Sequence, residues 1–112
     1  MQRDLLLDIQ RKVIGGYINA EEFGHKEILK TKLEESLFDI TFHKAIVRAC
    51  NHLISEDIPV SDFTVLDFLQ SHKMPNGASQ EAEYLHLMSD WAITPKTFNH
   101  YIEMILQHKM EN

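Results

Sequence analysis

Apolar residues recur along most of this chain at the three- and four-residue spacing of an amphipathic helix, and nowhere with the strict alternation of a strand. The first such segment runs from Leu5 to Ile18, with Leu6, Ile9, Val13 and Tyr17 on one face and Arg3, Gln10 and Lys12 between them. Gly15 and Gly16 fall inside it. Each costs a helix about 1 kcal/mol relative to alanine, so the pair marks either a close approach by another helix or the end of this one. Asn19-Ala20-Glu21-Glu22 has the form of a capping box, which predicts a second helix over about residues 20–37 or a short turn followed by one. Its apolar stripe, Phe23, Ile28, Leu29, Leu33 and Leu37, is looser, and Gly24 is a weak point in it.

The third segment is the clearest. Phe42, Ile46, Ala49 and Leu53 form one face, widened by Ala45 and Cys50, with Asp39 or Thr41 placed to cap its start. Ser55-Glu56-Asp57-Ile58-Pro59 ends it, because proline disfavours helix in the residue before it. Ser61 or Asp62 caps a short fourth helix whose Val65, Phe68 and Leu69 face inward. Met74-Pro75-Asn76-Gly77 reads as a turn, and Ser79 as the cap of a fifth helix carrying Ala82, Leu85, Met88 and Trp91. Thr94-Pro95 pairs an N-cap with a proline at the first helical position, opening a sixth helix with Phe98, Tyr101 or Ile102, Ile105 and Leu106 inward. The pattern predicts an all-α protein: one compact bundle of about six helices forming a single domain over residues 1–112.

Composition narrows the functions open to such a bundle. The chain has 112 residues, of which four are glycine, three proline and one cysteine, and its formal charge is −6. The glycines at 15, 16, 24 and 77 build neither a Gly-x-x-x-x-Gly-Lys nor a Gly-x-Gly-x-x-Gly phosphate loop. An acidic surface opposes phosphate backbones, and the lysines at 26, 30 and 32 are interrupted by Glu27, Glu34 and Glu35. Direct nucleic-acid binding is therefore not expected. With no apolar run of membrane-spanning length and a lone Cys50, neither a membrane nor an oxidising compartment is indicated, and the cytoplasm is the default location.

Candidate chemistry is sparse. Two Glu-x-x-His steps, Glu22/His25 and Glu83/His86, would put a carboxylate and an imidazole on one helix face, as half of a di-iron site does. A complete site would need further carboxylates from other helices, so metal binding is the lesser reading. Cys50 lies on an apolar face and reads as a small buried hydrophobe, with His43 two turns away and too far to activate it. No catalytic, cofactor or metal residue is assigned.

Several local patterns together resemble the N-terminal domain of DnaB-type replicative helicases. Val13-Ile14-Gly15-Gly16-Tyr17-Ile18 is similar to that family's first-helix pattern of aliphatics around a glycine pair. Phe38 to Ile46 resembles its entry into the third helix, and Ile58-Pro59-Val60-Ser61-Asp62-Phe63-Thr64-Val65 its Pro-Ile-Asp-x-x-Thr-Val step. Tyr84-Leu85-His86-Leu87 and the stretch from Thr94 to Ile105 complete the series, which covers about residues 8–106. Val47 and Asp39 depart from the family, which has aromatic residues there.

The resemblance implies a non-catalytic role in assembly. Family domains pair through a hairpin of their last two helices, build a collar above an ATP-driven motor and present a surface to primase or a loader. By that likeness the hairpin falls near residues 79–108, and its interface residues would be Tyr84, Met88, Trp91, Phe98, Tyr101 and Met104. Aromatic residues and methionine are enriched at interface cores, and a two-fold pair needs only one such patch. The expected partners are a second copy of the chain and a helicase, primase or loader protein. A stand-alone replication regulator that binds a helicase or primase is the alternative, and a small metal-binding enzyme the more remote one.

Overall fold

The computed structural model describes residues 2–72, 83–86 and 91–111, and all the regular structure among them is helical. The first helix, α1, spans Arg3–Asn19. Its early turns bury one face through Leu6 and Ile9, and from Val13 to Ala20 every residue is buried. A helix enclosed on all sides must be apolar all round, which is why Val13-Ile14 and Tyr17-Ile18 are consecutive pairs rather than one stripe. The glycine pair lies within this enclosed half. A Cβ at Gly16 would stand 2.7 Å from Ile93 Cγ1 and 3.3 Å from Phe98 Cδ2, so the close-approach reading holds and the helix continues through it.

No α-helix occupies residues 20–37. The backbone after α1 makes one last turn that closes on Gly24 at φ +78°. The amide of His25 donates to the Ala20 carbonyl at 2.7 Å and that of Gly24 to Glu21 at 3.2 Å, the paired bonds of a Schellman C-cap. Asn19 is therefore the buried end of a helix, not the cap of a new one, and Gly24 is a stop signal rather than a flaw in a helix. Two 3-10 pieces follow, Lys26–Thr31 and Glu35–Leu37, with Lys32 between them at φ 51°. Ile28, Leu33 and Leu37 are buried at spacings of five and four, which no single helical face provides, and Phe23 stays half exposed.

The second helix, α2, spans Thr41–Ser55 and has no side-chain cap at its start. Asp39, expected to cap it, instead accepts from Gln10 Nε2 at 3.0 Å. The buried face contains Ala45, Ile46, Ala49, Cys50 and Leu53 as predicted, with His43 and Val47 added. The helix closes in a second Schellman arrangement: Ile58 N donates to the Leu53 carbonyl at 2.9 Å and Asp57 N to Ile54 at 3.2 Å, with Asp57 left-handed at φ 57°.

Ser61 caps α3, Asp62–Ser71, in a full capping box. Its Oγ accepts from Thr64 N at 3.2 Å, and Thr64 Oγ1 accepts from Ser61 N at 2.9 Å. Residues 83–86 are helical, with Leu85 wholly buried. The expected turn at 74–77, the Ser79 cap, Ala82 and Met88 lie outside the described residues. The fourth helix, α4, spans Pro95–Glu111, and Thr94 Oγ1 accepts from Thr97 N at 3.2 Å as the predicted N-cap. The principal packing pairs are α1 with α4 and α2 with α3. The radius of gyration, 13.2 Å, is that of a closely packed domain of this length.

Candidate interaction surface

Helix α4 divides its residues by face. Phe98 and Ile105 are wholly buried, Tyr101, Ile102 and Met104 are half-buried against the core, and Leu106 and Met110 stand out at 45% and 86% exposure. Phe98, read from the sequence as an interface residue, belongs instead to the core, its ring stacked on Tyr17 at 6.2 Å. A count of large apolar groups cannot say which face each one takes, whereas the glycine pair announced a close neighbour, and Phe98 with Ile93 is that neighbour. Leu33, Leu37, Ile102 and Leu106 line a shallow cleft between α4 and the 3-10 segments.

Tyr84 is half-buried, and its surroundings account for its position. His43 Nε2 shares a 2.8 Å hydrogen bond with the Tyr84 hydroxyl, and the two rings stack at 5.8 Å. The Arg11 guanidinium sits beside the same hydroxyl, and Phe42 tilts against the ring at 5.9 Å. His43 is wholly buried with its Nδ1 unpaired. Burial pushes its pKa down to about 4, with the nearby Arg11 charge acting in the same direction. Trp91 is partly exposed and carries Lys12 Nζ 5.7 Å above its ring. Of the six residues proposed from the sequence, Tyr101 and Met104 share α4, Tyr84 and Trp91 approach α1, Phe98 is internal, and Met88 is outside the described residues.

Three polar ties hold this framework. Asp39 accepts from Gln10 of α1 and lies 3.5 Å from Lys109 Nζ of α4. The Gln10 hydrogen bond, with Lys109 adding to it, holds the Asp39 carboxyl below the usual range. Asp62 pairs with His86 Nδ1 at 2.8 Å, joining the start of α3 to the 83–86 turn. Arg48 binds Glu35 through two contacts of 2.6 and 3.1 Å on the surface. None of these was legible in the sequence, because the partners lie 13 to 70 positions apart and carry no local signature.

The groups considered for chemistry are placed differently from what a reactive site needs. Glu22 and His25 sit on the turn after α1, so they do not share a helix face. His86 is directed to Asp62, and no group of three His, Cys, Asp or Glu side chains able to hold a metal ion occurs among the described residues. Cys50 is enclosed in the core, and burial pushes its thiol pKa up, away from the reactive thiolate. No helix among the described residues is long and apolar enough to cross a membrane.

A family model of the DnaB-like helicase N-terminal domain matches residues 5–107. No curated protein and no solved structure gives a significant match.

Proposed function

The chain belongs to the DnaB-like helicase N-terminal domain family, and from that premise we propose that it is a non-catalytic assembly and docking module of DNA replication. In this reading it pairs with a second copy through α4, and offers a surface to a helicase, primase or loader. The family match over nearly the whole chain carries the reading. Helix α4 supports it. Having given Phe98 and Ile105 to the core, it still presents Tyr101, Ile102, Met104, Leu106 and Met110 wholly or partly to solvent. Burial of such groups between partners is the main favourable term in association.

Sedimentation equilibrium tests this. The parent is expected to self-associate, and Tyr101→Glu or Met104→Glu to raise the dissociation constant by about tenfold or more. Met110→Glu, at a position 86% exposed, weakens pairing without a route to unfolding. A parent that stays monomeric at high concentration overturns the pairing role.

A further inference from the structure

The connection between α2 and α3 carries acidic and apolar side chains and no cation of its own, Lys26 meeting it through the Glu21 carboxylate at 3.8 Å. From Ala49 to His72 there is no lysine or arginine, while Glu56, Asp57, Asp62 and Asp67 contribute four negative charges. Asp62 is buried and paired with His86, but Glu56, Asp57 and Asp67 are exposed and take part in no ion pair among the described residues. Within this acidic stretch stand two large apolar side chains, Ile58 at 42% and Phe63 at 70% exposure.

These groups are held in place rather than dangling. The Schellman closure of α2 fixes Asp57 and Ile58. Thr64 Oγ1 donates to the Pro59 carbonyl at 2.8 Å, and the Ser61–Thr64 capping box sets the first turn of α3, on which Phe63 sits. One side of the Phe63 ring meets His86 at 5.2 Å, leaving the rest open. Glu21 accepts from Val60 N at 3.1 Å, so the turn bearing Phe23, itself 51% exposed, closes against the same stretch. A rigid aromatic loses little conformational freedom on binding, which is what makes such side chains effective anchors.

We propose that this acidic connection is a docking site for a basic amphipathic segment of a partner protein, with Phe63 and Ile58 as apolar anchors and Glu56, Asp57 and Asp67 as the charged rim. Charge decides the occupant. A second copy presenting the same face would set three exposed carboxylates against three, and an anionic membrane or a nucleic acid would be repelled in the same way. A lysine- or arginine-bearing helix with an apolar face satisfies both features and gains on-rate from the opposed fields. Its anchors stand on α3 and the connection before it rather than on α4, so the proposal does not depend on self-pairing.

The test titrates the chain with a synthetic helical peptide of leucine and lysine, and with its counterpart in which glutamate replaces every lysine, following backbone amides by NMR. The lysine peptide is expected to perturb residues 56–67, to weaken with added salt, and to lose about tenfold in affinity to Phe63→Ser. Leu106→Ser, on α4 and outside the proposed anchors and rim, should leave binding unchanged. Equal binding of the glutamate peptide, perturbations centred on α4, or an unaltered affinity in Phe63→Ser overturns the proposal. So does a change in sedimentation caused by Phe63→Ser, which would make the patch a contact between copies. Because the α4 variants and the Phe63 variant probe different surfaces, failure of either reading leaves the other standing.

Discussion

His43 is a histidine that folding keeps neutral. It is enclosed by Phe38, Tyr84 and the core, Arg11 adds a repulsive charge, and its pKa falls to about 4 from the ordinary 6.5. Above pH 6.5 the ring is neutral in both folded and unfolded chains and contributes nothing to pH dependence. As the pH falls below 6.5 the unfolded chain takes up a proton that the folded chain refuses, so stability drops until about pH 4 and then levels off. The full loss is about 3 kcal/mol. Chemical denaturation of the parent and of His43→Phe across this range measures it: the parent's stability should fall more steeply, and parallel curves would remove His43 from the account. Tyr84 is the neighbouring lesson. Its sequence context announced a helix and a candidate contact, but not that its hydroxyl meets an imidazole 41 positions earlier.

At the scale of elements, two helix ends use the same backbone geometry with different residues. Gly24 closes the turn after α1 at φ +78°, and Asp57 closes α2 at φ 57°. Nothing lies within 4 Å of a Cβ built on Gly24, so Gly24→Ala meets no steric obstacle and its cost is backbone strain alone, about 1 kcal/mol of lost stability. Asp57→Gly relieves the same strain but adds freedom to the unfolded chain, so its melting temperature should stay close to the parent's. Thermal unfolding of both variants checks the pair, and a Gly24→Ala protein as stable as its parent would show that this turn does not hold the left-handed geometry. The comparison also explains which elements were legible. Helices α1 to α4 combine a regular apolar repeat with turn or capping chemistry at an end, as Ser61 and Thr94 do, and local rules suffice. Over residues 20–37 the second alternative, a short turn followed by a helix, is the nearer, with 3-10 pieces in place of an α-helix. The sequence left the choice open because a glycine followed by scattered apolar residues fits an interrupted helix as well as a stop. Only the tertiary demands of Ile28, Leu33 and Leu37 select the 3-10 pieces.

Over the whole molecule, the surface proposed for pairing stands on α4, and α4 is fixed at its two ends by different means. Its first turns are locked by apolar packing, Phe98 on Tyr17 and against Gly16. Near its end one polar tie is Asp39, which sits just before α2 and reaches Gln10 of α1 and Lys109 of α4 together. Most of the fold's apolar logic was legible in the sequence, but this joint was not, since Asp39 reads locally as a helix cap. Its position predicts a graded response. Asp39→Ala removes one hydrogen bond and one partly exposed ion pair, a global cost of about 1 kcal/mol. The local effect should be larger than that figure suggests, because Asp39 reaches the last turn of α4, beyond Ile105, the last wholly buried side chain among the described residues of that helix. Native-state hydrogen exchange should show faster exchange confined to the last two turns of α4, with the amides near Phe98 keeping their protection. Uniform acceleration along the helix would mean that α4 opens as one unit and that Asp39 does not govern its end separately. If the graded response is found and self-association weakens with it, then the end of α4 must be ordered for the chain to pair. Asp39 would then support assembly from outside the surface it helps to build.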